Sequence, residues 1–372
     1  MSGAGALASR RHCFGQVAEV SAERLLPPSA GTRPGGQDAV RSMTARRALL
    51  IWLALAGLAL AGLIASLSLG SVAISRVDLV HALFRPDGGL NDEIIRSLRL
   101  PRAGAGFACG ALLSLSGALL QVLLRNPLAD PYVLGVSGGA ASFALAAMML
   151  MLPWWGVDAS AFAGALLAVL FVLGMARREF WRSDPVEASP RLLLTGVVLA
   201  AGWGALITLL LTLAPDRGLR GMLFWLAGDL NGAVGAWPAL LVLGLVLVPS
   251  VLAAPQLNVM LRGETVAHAL GVPVGPLRLR IYLLASLATA AAVVTAGTIG
   301  FVGLVVPHML RISFGNDQRM LLPASALGGG ALVMLADLAA RTVVAPSQLP
   351  VGVITAMTGV PVFLWMLLRR RH

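Results

Sequence analysis

Lysine is absent from this sequence; all 28 basic residues are arginines. That excludes Schiff-base chemistry, a catalytic lysine and the phosphate-binding lysine of a Walker-type loop. Any P-loop ATP hydrolysis linked to this chain must therefore come from another polypeptide. Charge is scarce altogether, at 12% of residues, against about 25% in an ordinary soluble domain. The two cysteines, Cys13 and Cys109, lie far apart, and Cys109 falls inside an apolar block. That placement suggests neither a disulfide framework nor a zinc site. The five histidines, His12, His81, His268, His308 and His372, show no HExxH or Ser-His-acid spacing, which removes the usual membrane-embedded enzyme constellations. His308 follows Pro307 with no second ligand at metal spacing and reads as a helix-end residue. No catalytic residue, metal ligand or chain-bound cofactor is assigned.

A secretory h-region is also missing from residues 1–42, which hold Gly, Pro, Ser and five arginines. Residues 1–45 are expected to form a disordered cytoplasmic extension, with Met43 a candidate translation start. Residues 46–372 form the membrane domain.

What the chain does have is apolar length. Hydrophobic residues make up 58% of it, and the mean hydropathy is +0.84. These residues fall into blocks of roughly 20, the length of helix that crosses a hydrocarbon core about 30 Å thick. Spans are predicted near 48–69, 103–123, 133–152, 159–176, 192–214, 237–254, 281–299, 300–314, 321–343 and 351–368. The fold class is thus an all-α polytopic membrane protein with about ten transmembrane helices. The net charge of +11 does not point to nucleic acid, because the arginines sit between apolar blocks and not in a stripe with aromatics.

An even number of spans puts both termini on one side. With that side cytoplasmic, and counting from Arg41 onward, sixteen arginines fall inside and eight outside, as the positive-inside rule favours. Five of the eight, Arg76, Arg85, Arg96, Arg99 and Arg102, crowd the first external loop. Within the second span Gly106, Gly110, Ser114 and Ala118 recur every fourth residue. They form a small-residue stripe that lets another helix approach closely. Asp337 is the one clearly intramembrane acid, and Arg341 follows it at i+4. A structural pair at the outer end of the ninth span is the preferred reading, over a proton or ion site.

Several stretches are unlike generic membrane sequence. They are LRLPR at 98–102, QVLLRNPLADP at 121–131, LGVSGGA at 134–140, PRLLLTGV at 190–197, LFWLAGDL at 223–230, GTIGFVGLVVPH at 297–308 and LPVGVITAMTGVPVFLW at 349–365. Asn-Pro and Asp-Pro start turns, which makes residues 125–131 a tight cytoplasmic connection. The glycines of 297–300 interrupt an apolar run, so backbone there must face protein or a watery cavity. Together these stretches resemble, in unbroken order from about residue 48 onward, the FecCD-type permeases of iron-siderophore, haem and vitamin B12 uptake by ATP-binding-cassette importers. Thr298 departs from the family pattern, which commonly has proline there.

The resemblance implies a homodimer of ten-helix subunits in the bacterial cytoplasmic membrane, embedded in lipid, with the pathway on the dimer axis. Two ATP-binding subunits, using ATP and Mg, would lie below, and a periplasmic or lipid-anchored substrate-binding protein above. It places carboxylate-docking arginines at Arg99, Arg102 and Arg341; contact with lipid phosphates is the competing role. It makes residues 257–275 the coupling segment, with Glu264, Thr265, Ala267, His268, Leu270 and Gly271 in the region that sits in the ATPase groove. A plain amphipathic helix at the lipid surface is the alternative. The expected cargo is a bulky metal chelate, ferric siderophore first, with haem or cobalamin as alternatives, moved by alternating access. An ion-coupled secondary transporter is the rival of another class. It needs coupling groups near the bilayer midplane, and Asp337 sits toward one end.

Overall fold

The computed structural model describes residues 44–70, 74–85, 88–181, 188–233 and 235–369, and every regular element among them is helical. Residues 1–43, including Cys13 and nearly all of the expected N-terminal extension, lie outside the described residues. In hydrocarbon a helix is the one open-ended element that satisfies its own backbone groups.

Helix α1 (Ala45–Ser68) starts at the very end of that expected extension, capped by the Thr44 hydroxyl, which accepts from Arg47 N at 3.4 Å. The arginine-rich first loop is itself helical. It contains α2 (Arg76–Phe84) and α3 (Leu90–Glu93), and α3 runs through a π-helical turn at Ile94–Arg99 into α4 (Leu100–Leu123). The widened turn lies just ahead of Pro101, which has no N–H to donate. The chain continues through α5 (Val136–Met149), α6 (Trp154–Trp181), α7 (Ala188–Leu213), α8 (Asp216–Leu226), α9 (Trp237–Leu252) and α10 (Ala254–Met260). It ends with α11 (Glu264–Ala269), α12 (Val274–Ala296), α13 (Val302–Phe314), α14 (Gln318–Thr342) and α15 (Val351–Arg369).

Among the described residues, six helical runs are long and apolar enough to cross a membrane, and the α9–α10 pair, bent by 60°, makes a seventh. The shorter apolar helices α5, α13 and α15 complete the set. These ten apolar elements follow the order of the ten predicted spans.

Helix α4 is the central post, its apolar stretch 94% buried, with α9, α12, α13 and α14 packed around it. Its small residues set the spacing. A methyl group on Gly110 would collide with the Gly329 carbonyl of α14, and one on Gly329 with the Gly110 carbonyl and with Ser114. Such mutual approach brings two backbones into van der Waals contact, the main attraction available between helices in lipid. On the α12 side the Ser116 hydroxyl lies 2.8 Å from both the Ala285 carbonyl and the Thr289 hydroxyl. By contrast, only 17% of the apolar stretch of α1 and 6% of that of α7 is buried.

Candidate functional sites at the two ends of the bundle

Arg102 begins the post and Arg125 follows its end. Twenty-four residues of α-helix lie in α4, or about 36 Å at 1.5 Å per residue. The two residues therefore mark opposite ends of this central helix.

At the Arg102 end, the three arginines expected to dock a partner are brought together. Arg99, Arg102 and Arg341, with Asn231 and Gln348, line a cleft of about 310 Å³. Two of these arginines reach the carboxylate of Asp337, which is 1% exposed. Arg102 donates to Asp337 from Nε at 3.0 Å and from Nη2 at 2.8 Å. Its Nη1 donates to Asn231 Oδ1 at 2.7 Å and Gln348 Oε1 at 3.1 Å. Arg341 Nε lies 3.1 Å from the other Asp337 oxygen, the i,i+4 pair, and its Nη2 donates to Ser66 Oγ at 2.7 Å. Arg99 Nη1 donates to the Leu67 carbonyl at 2.6 Å. Arg102 and Arg341 thus share one buried carboxylate, that of Asp337. Sequence reasoning found the Asp337–Arg341 pair from its spacing and missed Arg102 as its third member.

At the Arg125 end, residues 257–275 fold as the tail of α10, the whole of α11 and the start of α12. Asn258 Nδ2 donates to Asp317 Oδ1 at 2.8 Å, and Gln318 N donates to Asn258 Oδ1 at 2.8 Å, tying α10 to the start of α14. Helix α11 divides the six expected coupling residues by face. Glu264 and Ala267 are buried, while Thr265, His268, Leu270 and Gly271 are exposed. Glu264 forms ion pairs with both Arg125 and Arg278. The signal for this triad was present in the sequence, since Glu264 is the one acid in residues 257–275. Arg125 and Arg278 could be recognised as its partners only once the chain was folded.

Between the two ends, three non-helical stretches meet. Asp229 N donates to the Ala296 carbonyl at 2.9 Å, and Val351 N to the Gly228 carbonyl at 2.9 Å. The Thr298 hydroxyl donates to the Leu226 carbonyl. Gly297 has φ +67 and lies so close to the Trp225 carbonyl that a Cβ there would overlap it. The break between α12 and α13 ends at Phe301, whose φ of +68 is in the left-handed region, sparsely populated by residues other than glycine. This junction forms one wall of a cavity of about 470 Å³, with Tyr132, Ser137, Ile207, Leu226, Thr298 and Val353 among its lining. His308, expected at a helix end, lies inside α13 instead, 1% exposed, with its ring tilted against that of Phe363 at a centroid distance of 6.3 Å. Pro307 does not end the helix, because neighbouring spans enclose it and α13 runs on to Phe314. The described residues contain no group of three or more His, Cys, Asp or Glu side chains able to hold a metal.

In the loop from α4 to α5, Asn126 Oδ1 accepts from Leu128 N at 2.9 Å and Asp130 Oδ1 from Tyr132 N at 2.8 Å. These are the turns that the Asn-Pro and Asp-Pro pairs predict. Burial pushes the Asp130 carboxyl up to about 6, against the opposing pull of the Tyr132 N–H.

A ten-helix bundle with a broken helix beside a cavity and charged clusters at both ends defines a membrane transport permease. The family model of the FecCD transport family matches residues 37–369. The chain belongs to that family, the membrane subunits of ATP-binding-cassette importers in the metal-chelate class. It is 42% identical over 284 residues to a vitamin B12 import system permease protein, BtuC, of Vibrio vulnificus, covering 74% of this chain and 83% of the relative. It is 39% identical over 288 residues to the hemin transport system permease protein HmuU of Yersinia pestis, with the same 74% and 83% coverage. A solved structure of a metal-chelate type ABC transporter in an inward-facing conformation superimposes with a TM-score of 0.76 at 27% identity, covering 86% of this chain and 99% of that one. These relatives are transport subunits and not enzymes, and their class works with separate ATPase and substrate-binding partners.

Proposed function

We propose that two copies of this chain form the pore of an importer for a tetrapyrrole-type metal chelate, cobalamin or haem. A separate ATPase pair drives it, and a substrate-binding protein feeds it. The observation that carries this reading is the broken α12–α13 helix lining a cavity beside the almost unburied α7. At about 470 Å³ that cavity is at the small end of what suits a drug-sized ligand, about 300–1,000 Å³. A second copy facing it would enlarge the space to suit a bulkier cargo. Helix α7 offers a face for that copy, with exposed Leu194, Val197, Val198, Leu209 and Leu213 and open space over Gly202 and Gly204. The relatives named for vitamin B12 and hemin favour a tetrapyrrole cargo over the ferric siderophore that the sequence reading put first.

The excess of arginines at the coupling-segment end supports a cytoplasmic location for it and for both termini. The exposed side of α11 and the turn after it, with Thr265, His268, Leu270 and Gly271, then meets the ATPase. The arginine cleft faces outward, and Arg99, Arg102 and Arg341 receive carboxylates of the binding protein through charge-assisted hydrogen bonds. Closure of the ATPase pair moves the coupling segment, and the spans alternate the cavity between the two sides. Arginine guanidinium supplies only docking charge here; ATP and Mg belong to the partner.

The test is reconstitution of the chain with a co-expressed ATPase and binding protein in liposomes loaded with ATP. ATP-dependent uptake of cyanocobalamin or hemin exceeding that of a ferric siderophore supports the reading. Preferential siderophore uptake would reassign the cargo. Uptake driven by a proton gradient without any ATPase would replace the importer with a secondary transporter.

A further inference from the structure

The coupling segment divides its tasks between two faces of α11, and the buried face has no role in meeting a partner outside. Glu264 is 6% exposed and is held by Arg125 on one side and by Arg278, 5% exposed, on the other. We infer that Glu264 is a positioning residue: it clamps the coupling segment to the α4–α5 turn and to the first turns of α12, and carries displacement of α11 to the cavity wall. This rests on the importer reading above.

The geometry supplies the connection. Arg125 has φ +47 although it is not glycine, a conformation that the surrounding structure must hold in place, and its ion pair to Glu264 is one such hold. The turns at Asn126 and Asp130 stiffen the six residues between Arg125 and Tyr132. Tyr132 then grips the broken helix from below. Its hydroxyl accepts from Ile299 N at 2.7 Å and donates to the Ile299 carbonyl at 2.9 Å. Ile299 lies between Thr298 and Gly300, which line the 470 Å³ cavity together with Tyr132. A shift of α11 thus reaches the cavity along two connections, through Arg125 and Tyr132 to the unwound stretch, and through Arg278 into α12, which ends at that same stretch. Unwound backbone can rearrange without breaking a helical hydrogen-bond ladder, so it is the element with two available arrangements that a coupling route needs.

The experiment uses the full complex in proteoliposomes, with cyanocobalamin or hemin as the probe, whichever the wild type imports. It measures ATPase co-purification and the amount of probe imported per ATP hydrolysed. That ratio isolates coupling, because a merely destabilised complex loses transport and hydrolysis together. Glu264→Gln is expected to keep the ATPase bound and to lower the ratio by about tenfold, within the range of ordinary site-to-site coupling. Tyr132→Phe, at the far end of the route, is expected to lower it in the same direction, and it serves if Glu264→Gln fails to fold. Leu270→Arg, on the exposed face, is expected to lose the ATPase instead. An unchanged ratio in Glu264→Gln or, failing that variant, in Tyr132→Phe overturns the inference. So does a Glu264→Gln chain that is well folded yet loses the ATPase, which would return Glu264 to the contact surface. A wild-type chain that holds no ATPase overturns the importer reading itself, and is told apart because it fails before any variant is compared.

Discussion

Arg102 and Asp337, 235 residues apart in the chain, are joined by hydrogen bonds to both carboxylate oxygens: Oδ1 accepts from Nε at 3.0 Å and from Nη2 at 2.8 Å, and Oδ2 accepts from Nε at 3.1 Å. The pair locks α4 to α14 at one end of the bundle, and Arg341 Nε lies 3.1 Å from Oδ2 as well. Removing the anion would leave two guanidinium groups facing each other across a buried floor. Asp337→Asn is expected to destabilise the protein by about 3 kcal/mol, the scale of breaking a buried ion pair. The check is the apparent unfolding temperature of the detergent-purified protein, which should fall well below that of the wild type.

The same helix pair is set by Gly110 and Gly329. Gly110→Val places a branched side chain against the Gly329 carbonyl, and neither backbone can yield without moving a whole helix. Overpacking of this kind costs about 1–3 kcal/mol where side chains can adjust, and more is expected where the obstacle is backbone. The yield of monodisperse protein after membrane extraction should drop, whereas Gly57→Val on α1, with open space around it, should leave the yield near wild type.

Asp130 gives the protein a pH dependence of known sign. Burial raises its carboxyl from 3.8 to about 6, so the folded chain holds that proton more tightly than the unfolded chain. The contribution is complete below the unfolded value and is lost as pH rises through about 6. Apparent stability should therefore decline by about 1–3 kcal/mol across this window. Asp130→Asn keeps an oxygen acceptor for the Tyr132 N–H and cannot ionise, and its stability curve should lose this step.

Arg99 tests the arginine cleft. Its guanidinium donates to the Leu67 carbonyl and lines the cleft beside Arg102 and Arg341, where a carboxylate of a partner would meet it. Arg99→Glu is expected to weaken binding-protein association by about tenfold or more through like-charge repulsion, while ATPase co-purification stays unchanged. Surface plasmon resonance on the reconstituted complex at two salt concentrations would show it. Added salt should narrow the difference between variant and wild type, because mobile ions screen the attraction between two approaching protein surfaces.

Much of the architecture was legible in the residues before folding. All ten apolar elements lie where hydrophobic run length put them, because the thickness of the membrane core is a constraint each segment meets alone. The i,i+4 spacing of Asp337 and Arg341 was legible for the same reason, since both partners share one helix. The helical character of residues 90–99 was not: arginines and an Asn-Asp-Glu stretch read as loop by composition, yet the segment extends α4 without a break. His308 was misread because proline is a helix stop in water and a tolerated residue inside a packed membrane bundle.

The sequence by itself determined that this chain lives in lipid, crosses it about ten times, carries no ATP-hydrolysing loop of its own and shares the motifs of a permease family. Only the tertiary structure decided which face of α11 turns inward, that Glu264 answers to Arg125 and Arg278, that Arg102 completes the Asp337 cluster and that Tyr132 holds the broken helix at Ile299. Span length and periodicity are local properties, read from neighbours along the chain. Partners far apart in sequence meet only when packing of small-residue faces has brought separate helices to a common depth and rotation, and no single segment specifies that.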